Sequence, residues 1–125
     1  MRSASLFFLF AMGIFSLFSS DKPAPDELVL IQLKKAGSDL SKPHHIEFFL
    51  YLPTEAAAET AASKLRAESF QATVKPPLKG AGWLCFATKT MIPELVELQR
   101  IRRDFNRLTR ELGGNYDGWG TPVEK

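Results

Sequence analysis

Cysteine is almost absent from this sequence: Cys85 stands alone among 125 residues. An internal disulfide is excluded, and so is a zinc site built on several thiolates. Histidine is nearly as scarce, with only the adjacent His44 and His45. Neither sign of charge dominates, since 16 Lys and Arg face 14 Asp and Glu for a formal charge of +2. That balance is too even to hold nucleic acid by bulk electrostatics. There is no repeat, and no low-complexity tract beyond the Ala-rich segment near Ala56. Gly80-Ala81-Gly82 follows Pro76-Pro77 and reads as a loop, not as a phosphate cradle. What remains is 45% hydrophobic residues in a chain of one ordinary domain, whose stability must come from burial.

Composition breaks at the N-terminus. Arg2 precedes an uncharged run from Ser3 to Ser20 whose apolar heart is Leu6 to Phe15. A positive start, a short apolar block and a polar exit are the parts of a secretory signal. A short uncleaved anchor and a mis-assigned start codon are the other readings. Residues 1–20 are therefore expected to be a signal-like or membrane-anchor segment, 21–25 a linker and 26–125 the folded domain. Arg2 before the run, with acidic residues soon after it, puts the domain outside the cytoplasm: exported, periplasmic or membrane-anchored.

Within the folded part, Asp26 is expected to cap a helix from Glu27 to Ala36 that stops at Gly37. Its apolar side would hold Leu28 and Ile31 with the stem of Lys35, widened by Leu30 and Leu33. Ile46 to Leu52 is the clearest strand, and alternation places His44, Ile46, Phe48, Leu50 and Leu52 on the core side. Thr54 caps a helix over Glu55–Glu68, with Ala58, Ala61, Ala62 and Leu65 at i, i+3, i+4, i+7. Phe70 to Lys75 and Trp83 to Thr88 read as strands. Pro93 opens the last helix, where Leu95, Leu98, Ile101, Phe105, Leu108 and Leu112 recur at steps of three and four. Gly113-Gly114 ends it, and Asn115 to Trp119 forms a short edge strand. This order predicts an α+β, ferredoxin-like sandwich, an antiparallel sheet with its helices on one face.

Three stretches carry a family resemblance: Asp39-Leu40-Ser41-Lys42-Pro43-His44-His45-Ile46-Glu47-Phe48-Phe49-Leu50-Tyr51, then Trp83 to Pro93, then Gly113-Gly114-Asn115-Tyr116-Asp117-Gly118-Trp119. In order and spacing they resemble the regulator of ribonuclease E activity B family, over about Leu28 to Trp119. The resemblance implies a ferredoxin-like domain that binds the scaffold region of endoribonuclease E and lowers RNA turnover. It implies no cofactor and no catalytic residue. It also implies a cytoplasmic protein, so the leader and the resemblance point to different compartments.

Several residues invite more specific chemistry. His44 and His45 point to opposite faces of a strand, so one ion cannot take both; the structural reading has one imidazole bonding a nearby backbone group. Cys85 with His45 is the one candidate nucleophile pair, against the ordinary reading of Cys85 as a small buried hydrophobe. If Leu84 and Phe86 point inward, Trp83 and Cys85 share the outer sheet face with Glu47, Phe49 and Tyr51. Such aromatics resemble the stacking platform of an RNA-recognition module. The favoured reading is that the first helix, or Tyr116 and Trp119, covers this face, and Glu47 would repel phosphate. On the last helix Arg100, Arg103, Arg107 and Arg110 form a stripe laced with Glu97, Asp104 and Glu111. It reads as a solvated face or as the dock of an acidic partner. The candidate partner-binding residues are thus Glu47, Phe49, Tyr51, Trp83 and the four arginines. Three functions follow from these features: a protein-binding regulator, an exported domain with another protein partner, and an RNA-binding module.

Overall fold

The computed structural model describes residues 8–10, 24–78, 80 and 82–125. In chain order its elements are β1 (Phe8–Phe10), α1 (Pro25–Lys35), β2 (His44–Leu52), α2 (Glu55–Ala67), β3 (Gln71–Lys75), β4 (Trp83–Met91), α3 (Leu95–Glu111) and β5 (Asn115–Pro122). Every strand pairing is antiparallel, and the sheet order is β1-β5-β2-β4-β3. The protein is α+β. β5 pairs with β2 on one side and β1 on the other, so the expected edge strand is longer than expected and lies inside the sheet. The rest of the expected signal-like or membrane-anchor segment, and the expected linker up to residue 23, lie outside the described residues.

β2 organises the core. Ile46, Phe48 and Leu50 are fully buried and alternate with half-buried Glu47, Phe49 and Tyr51. Its inner face receives α2 and α3. α2 approaches through Ala58, Ala61, Ala62 and Leu65, whose small side chains let a helix axis come close to a sheet. α3 contributes Leu98, Ile101 and Phe105. Phe48 meets Phe70 and Phe105 with ring centroids 5.5 Å apart, edge to face, and Phe105 meets Tyr116 at 5.4 Å. Each such pair adds about 0.5–1.5 kcal/mol beyond burial.

The helices α1, α2 and α3 end in one way. The residue after the C-cap takes positive φ at Gly37 (96°), Ser69 (73°) and Gly113 (85°). The next residue's N–H then donates back along the chain to the last helical turn: Ser38 to Leu33, Phe70 to Leu65 and Gly114 to Thr109, at 2.9, 3.1 and 2.7 Å. This closure satisfies carbonyls that a helix end leaves open. At Gly114 a second constraint holds, because a Cβ there would stand 1.9 Å from the Tyr51 carbonyl oxygen.

α1 departs from expectation. Ala24 is its N-cap, without a side-chain bond, and Pro25, assigned to the linker, is its first residue. Asp26 is not a cap but a buried group, and it shares the inward side with Val29 and Leu33. Ile31 and Lys35 face solvent. The α2 cap is as expected, with Thr54 Oγ1 accepting from the Ala57 N–H at 3.1 Å.

Candidate functional site

Register decides which side chains reach each face of the sheet. Directly opposed residues of an antiparallel pair share a face. Leu50 opposes Cys85 and Leu52 opposes Trp83, while Phe49 opposes Phe86 and Tyr51 opposes Leu84. Trp83 and Cys85 therefore belong to the inner face, which corrects the expected outer-face pair. Leu84 and Phe86 take those places.

The covering elements expected over this outer face are elsewhere. Trp119 opposes Phe48 and Tyr116 opposes Leu50, so both aromatics lie on the core side. α1 packs beside α3 and buries Val29 and Leu33 in the same core. The outer face instead presents Glu47, Phe49, Tyr51, Leu84 and Phe86, all half-buried. Phe49 and Phe86 meet edge to face at 5.5 Å, and Lys75 Nζ sits 4.3 Å from the Phe86 ring centroid. A cleft of about 90 Å³ at one end is lined by Tyr51, Lys75, Pro76, Leu78, Gly82 and Leu84. Leu78 there is 78% exposed. Partial burial holds the Asp117 carboxyl above the usual carboxylate range. The Tyr51 phenol is raised too, first by burial and then by the charge of Asp117. The face is thus an aromatic and aliphatic patch with charges of both signs at its margin.

The arginine stripe lies on the helical side of the molecule. Arg100 pairs with Glu97 and, at 2.8 Å, with Asp104; Arg107 reaches Asp104 at 3.0 Å. The hydrogen bonds from Arg100 hold the Glu97 carboxyl below its usual range. Among the described residues no ion pair involves Arg103 or Arg110. The expected lacing holds for half of the stripe. Between α2 and α3 runs a cleft of about 190 Å³, floored by Leu65, Phe105 and Leu108 and rimmed by Lys64, Glu68, Asp104, Arg107 and Glu111. The eight candidate residues do not converge: Glu47, Phe49 and Tyr51 lie on the sheet's outer face, the arginines on α3, and Trp83 on the inner face.

His44 is fully buried, and its Nδ1 donates to the Lys42 carbonyl at 2.8 Å, as the structural reading expects. Its Nε2 lies 2.6 Å from Ser38 Oγ, which also accepts from the Glu124 N–H at 2.9 Å. The imidazole thereby ties the chain's end to β2. His45 is exposed and lies near Thr90. Cys85 is fully buried, and burial pushes its thiol up to about 11. His45 opposes Thr90, and Leu50 opposes Cys85, so thiol and exposed imidazole lie on opposite faces and cannot form a nucleophile pair. Among the described residues no cluster of His, Cys, Asp and Glu could hold a metal ion. None of their helices is long and apolar enough to cross a membrane.

One constellation escaped the sequence reading. The Asp26 carboxylate, 1% exposed, accepts from Arg102 Nε and Nη2 at 2.9 and 2.8 Å and from Trp119 Nε1 at 2.8 Å. Burial alone would lower the Arg102 guanidinium, but the bonds and charge of Asp26 outweigh it and raise it. The cluster joins α1, α3 and β5. No local signal marks it, because its members lie up to 93 positions apart.

No curated protein matches the chain. The family model described as regulator of ribonuclease activity B matches residues 24–121, a span that runs from the start of α1 nearly to the end of β5 and holds both candidate surfaces. On that match, the chain belongs to the regulator of ribonuclease activity B family.

Proposed function

We propose that this chain is a non-enzymatic, protein-binding regulator that docks on endoribonuclease E and lowers RNA turnover, on a ferredoxin-like scaffold. The observation that carries this reading is the family match over residues 24–121. Strand order β5-β2-β4-β3, with α2 and α3 on the inner face, supports the scaffold, since it is the order of a split βαβ pair. The buried, protonated Cys85 thiol supports a non-catalytic role. Docking runs through the outer sheet face, where Phe49, Tyr51, Phe86 and Leu78 supply the aromatic and apolar anchors typical of interface centres. Glu47 and Lys75 supply the polar rim. On α3, Arg103 and Arg110 form a second surface.

Two further readings rest on specific features. The same aromatics suit stacking of RNA bases, although Glu47 and Asp117 beside them disfavour phosphate. The uncharged run before residue 21 favours an exported or membrane-tethered domain with a different protein partner. Cell fractionation with N-terminal sequencing separates that reading from a cytoplasmic regulator. Co-purification with the scaffold region of endoribonuclease E, beside titration of labelled RNA at low salt, tests the main proposal.

A further inference from the structure

The two edges of the sheet are treated differently. On β3, Arg66 of α2 lays its guanidinium against the strand, with Nε and Nη2 3.1 and 3.0 Å from the Ala72 carbonyl oxygen. Lys75 and Pro76 follow at the strand's end. Occupied acceptors, charge and proline are the means by which proteins keep an edge from recruiting foreign strands. β5 has Asp117 and a terminal Pro122 but no charged residue or proline from Gly118 to Thr121. Its far side is taken instead by backbone: Phe8 opposes Pro122, Leu9 opposes Thr121 and Phe10 opposes Gly120.

That cis strand comes from the uncharged leader. A segment paired with β5 cannot at the same time be removed or sit in a bilayer, so the state of the leader sets whether the edge is open. The pairing is also short, three residues. So short a ladder holds mainly because belonging to the same chain keeps the strand at high effective concentration.

We propose that the outer edge of β5 is a strand-acceptor site for an extended, uncharged, apolar peptide segment of a partner protein, occupied in cis by Phe8–Phe10 and open when that strand leaves. Recognition is by backbone pairing. The site spans Gly120 to Pro122, the residues that oppose Phe10 to Phe8, and Gly118, at a φ of 104°, ends the regular strand on its near side. The occupant's chemistry is read from the strand seated there, whose sequence is Phe-Leu-Phe.

The test uses the full chain. Successive N–H groups of a strand point alternately toward and away from a neighbour, so Phe8→Pro with Leu9→Pro removes a ladder donor in either phase. The probe is a fluorescent peptide of residues 6–12 (Leu-Phe-Phe-Leu-Phe-Ala-Met) with lysines added outside it for solubility, followed by anisotropy. The double variant should bind it saturably and the unsubstituted protein at least about tenfold more weakly, as expected for a tethered competitor. A peptide with proline in place of Phe8 and Leu9 should not bind. Equal affinity for both proteins, or binding to neither, overturns the proposal. A variant that dimerises without capturing peptide overturns it too, and assigns the edge to a second copy. Amide exchange on the unsubstituted chain gives an independent check. Excess peptide should deprotect Phe8–Phe10 while Gly120 and Thr121 stay protected, and protection of Phe8–Phe10 that peptide does not change contradicts a shared site.

Discussion

Asp26 and Arg102, on helices 76 positions apart in the chain, form a forked ion pair whose carboxylate is 1% exposed. The same carboxylate takes the Trp119 indole N–H, so three elements depend on one anion. Removing one member of a buried pair leaves the other charged and unpaired. Asp26→Ala should therefore cost about 3–5 kcal/mol in urea denaturation. Asp26→Leu combined with Arg102→Met should cost less than the sum of the two single changes. Additive losses would show that the pair is not coupled.

The two faces of β2 give a second test. Phe48→Ala and Phe105→Ala should each cost about 3–5 kcal/mol, because both rings are buried and touch each other. Phe49→Ala should cost clearly less, since its face is only half-buried. Equal losses at Phe48 and Phe49 would mean that the outer face is covered in solution.

Cys85 should be silent to a thiol reagent in the native protein at pH 8 and react fully in denaturant. Its thiol has an ordinary value of 9.0, kept in the unfolded chain, and burial in the fold raises it to about 11. Well below pH 9 both states keep the proton and the group costs nothing. As pH rises from about 9 to about 11 the unfolded chain releases its proton first, so stability falls across that window. Cys85→Ala should remove this part of the decline in urea stability, and a profile identical to the parent's would contradict it.

Ser69 is the one non-glycine among the described residues at positive φ. It closes α2 as Gly37 and Gly113 close α1 and α3. Ser69→Gly should stabilise the fold by up to about 1 kcal/mol by relieving left-handed strain. A destabilised Ser69→Gly, measured by thermal melting, would mean that the hydroxyl or the stiffer chain matters more.

Periodicity made much of this architecture legible. β2, α2 and α3 carry one apolar face each, and Thr54 and Gly113-Gly114 mark helix ends by local chemistry. β4 resisted because Trp83, Leu84, Cys85, Phe86 and Ala87 are apolar on both parities, so only its pairing with β2 tells inner from outer. Asp26 misled because an acidic residue ahead of an apolar run has the form of an N-cap, whereas its partners Arg102 and Trp119 come from the far end of the chain. The aromatic trio of the outer face was half visible: Phe49 and Tyr51 follow from the alternation of β2, while Phe86 requires the register.

The central claim, that this domain acts by binding a ribonuclease and not by touching RNA, is tested most directly by a paired capture. The scaffold region of endoribonuclease E, immobilised, should retain the protein, and Phe86→Ser with Leu78→Ser should lose that retention while folding normally. Arg103→Glu with Arg107→Glu should leave it largely intact, because the sheet face is the main dock and the α3 surface is secondary. Labelled RNA titrated at low salt, where a basic binder is strongest, should show no saturable binding. Tight RNA binding with no retention by the scaffold would contradict the account.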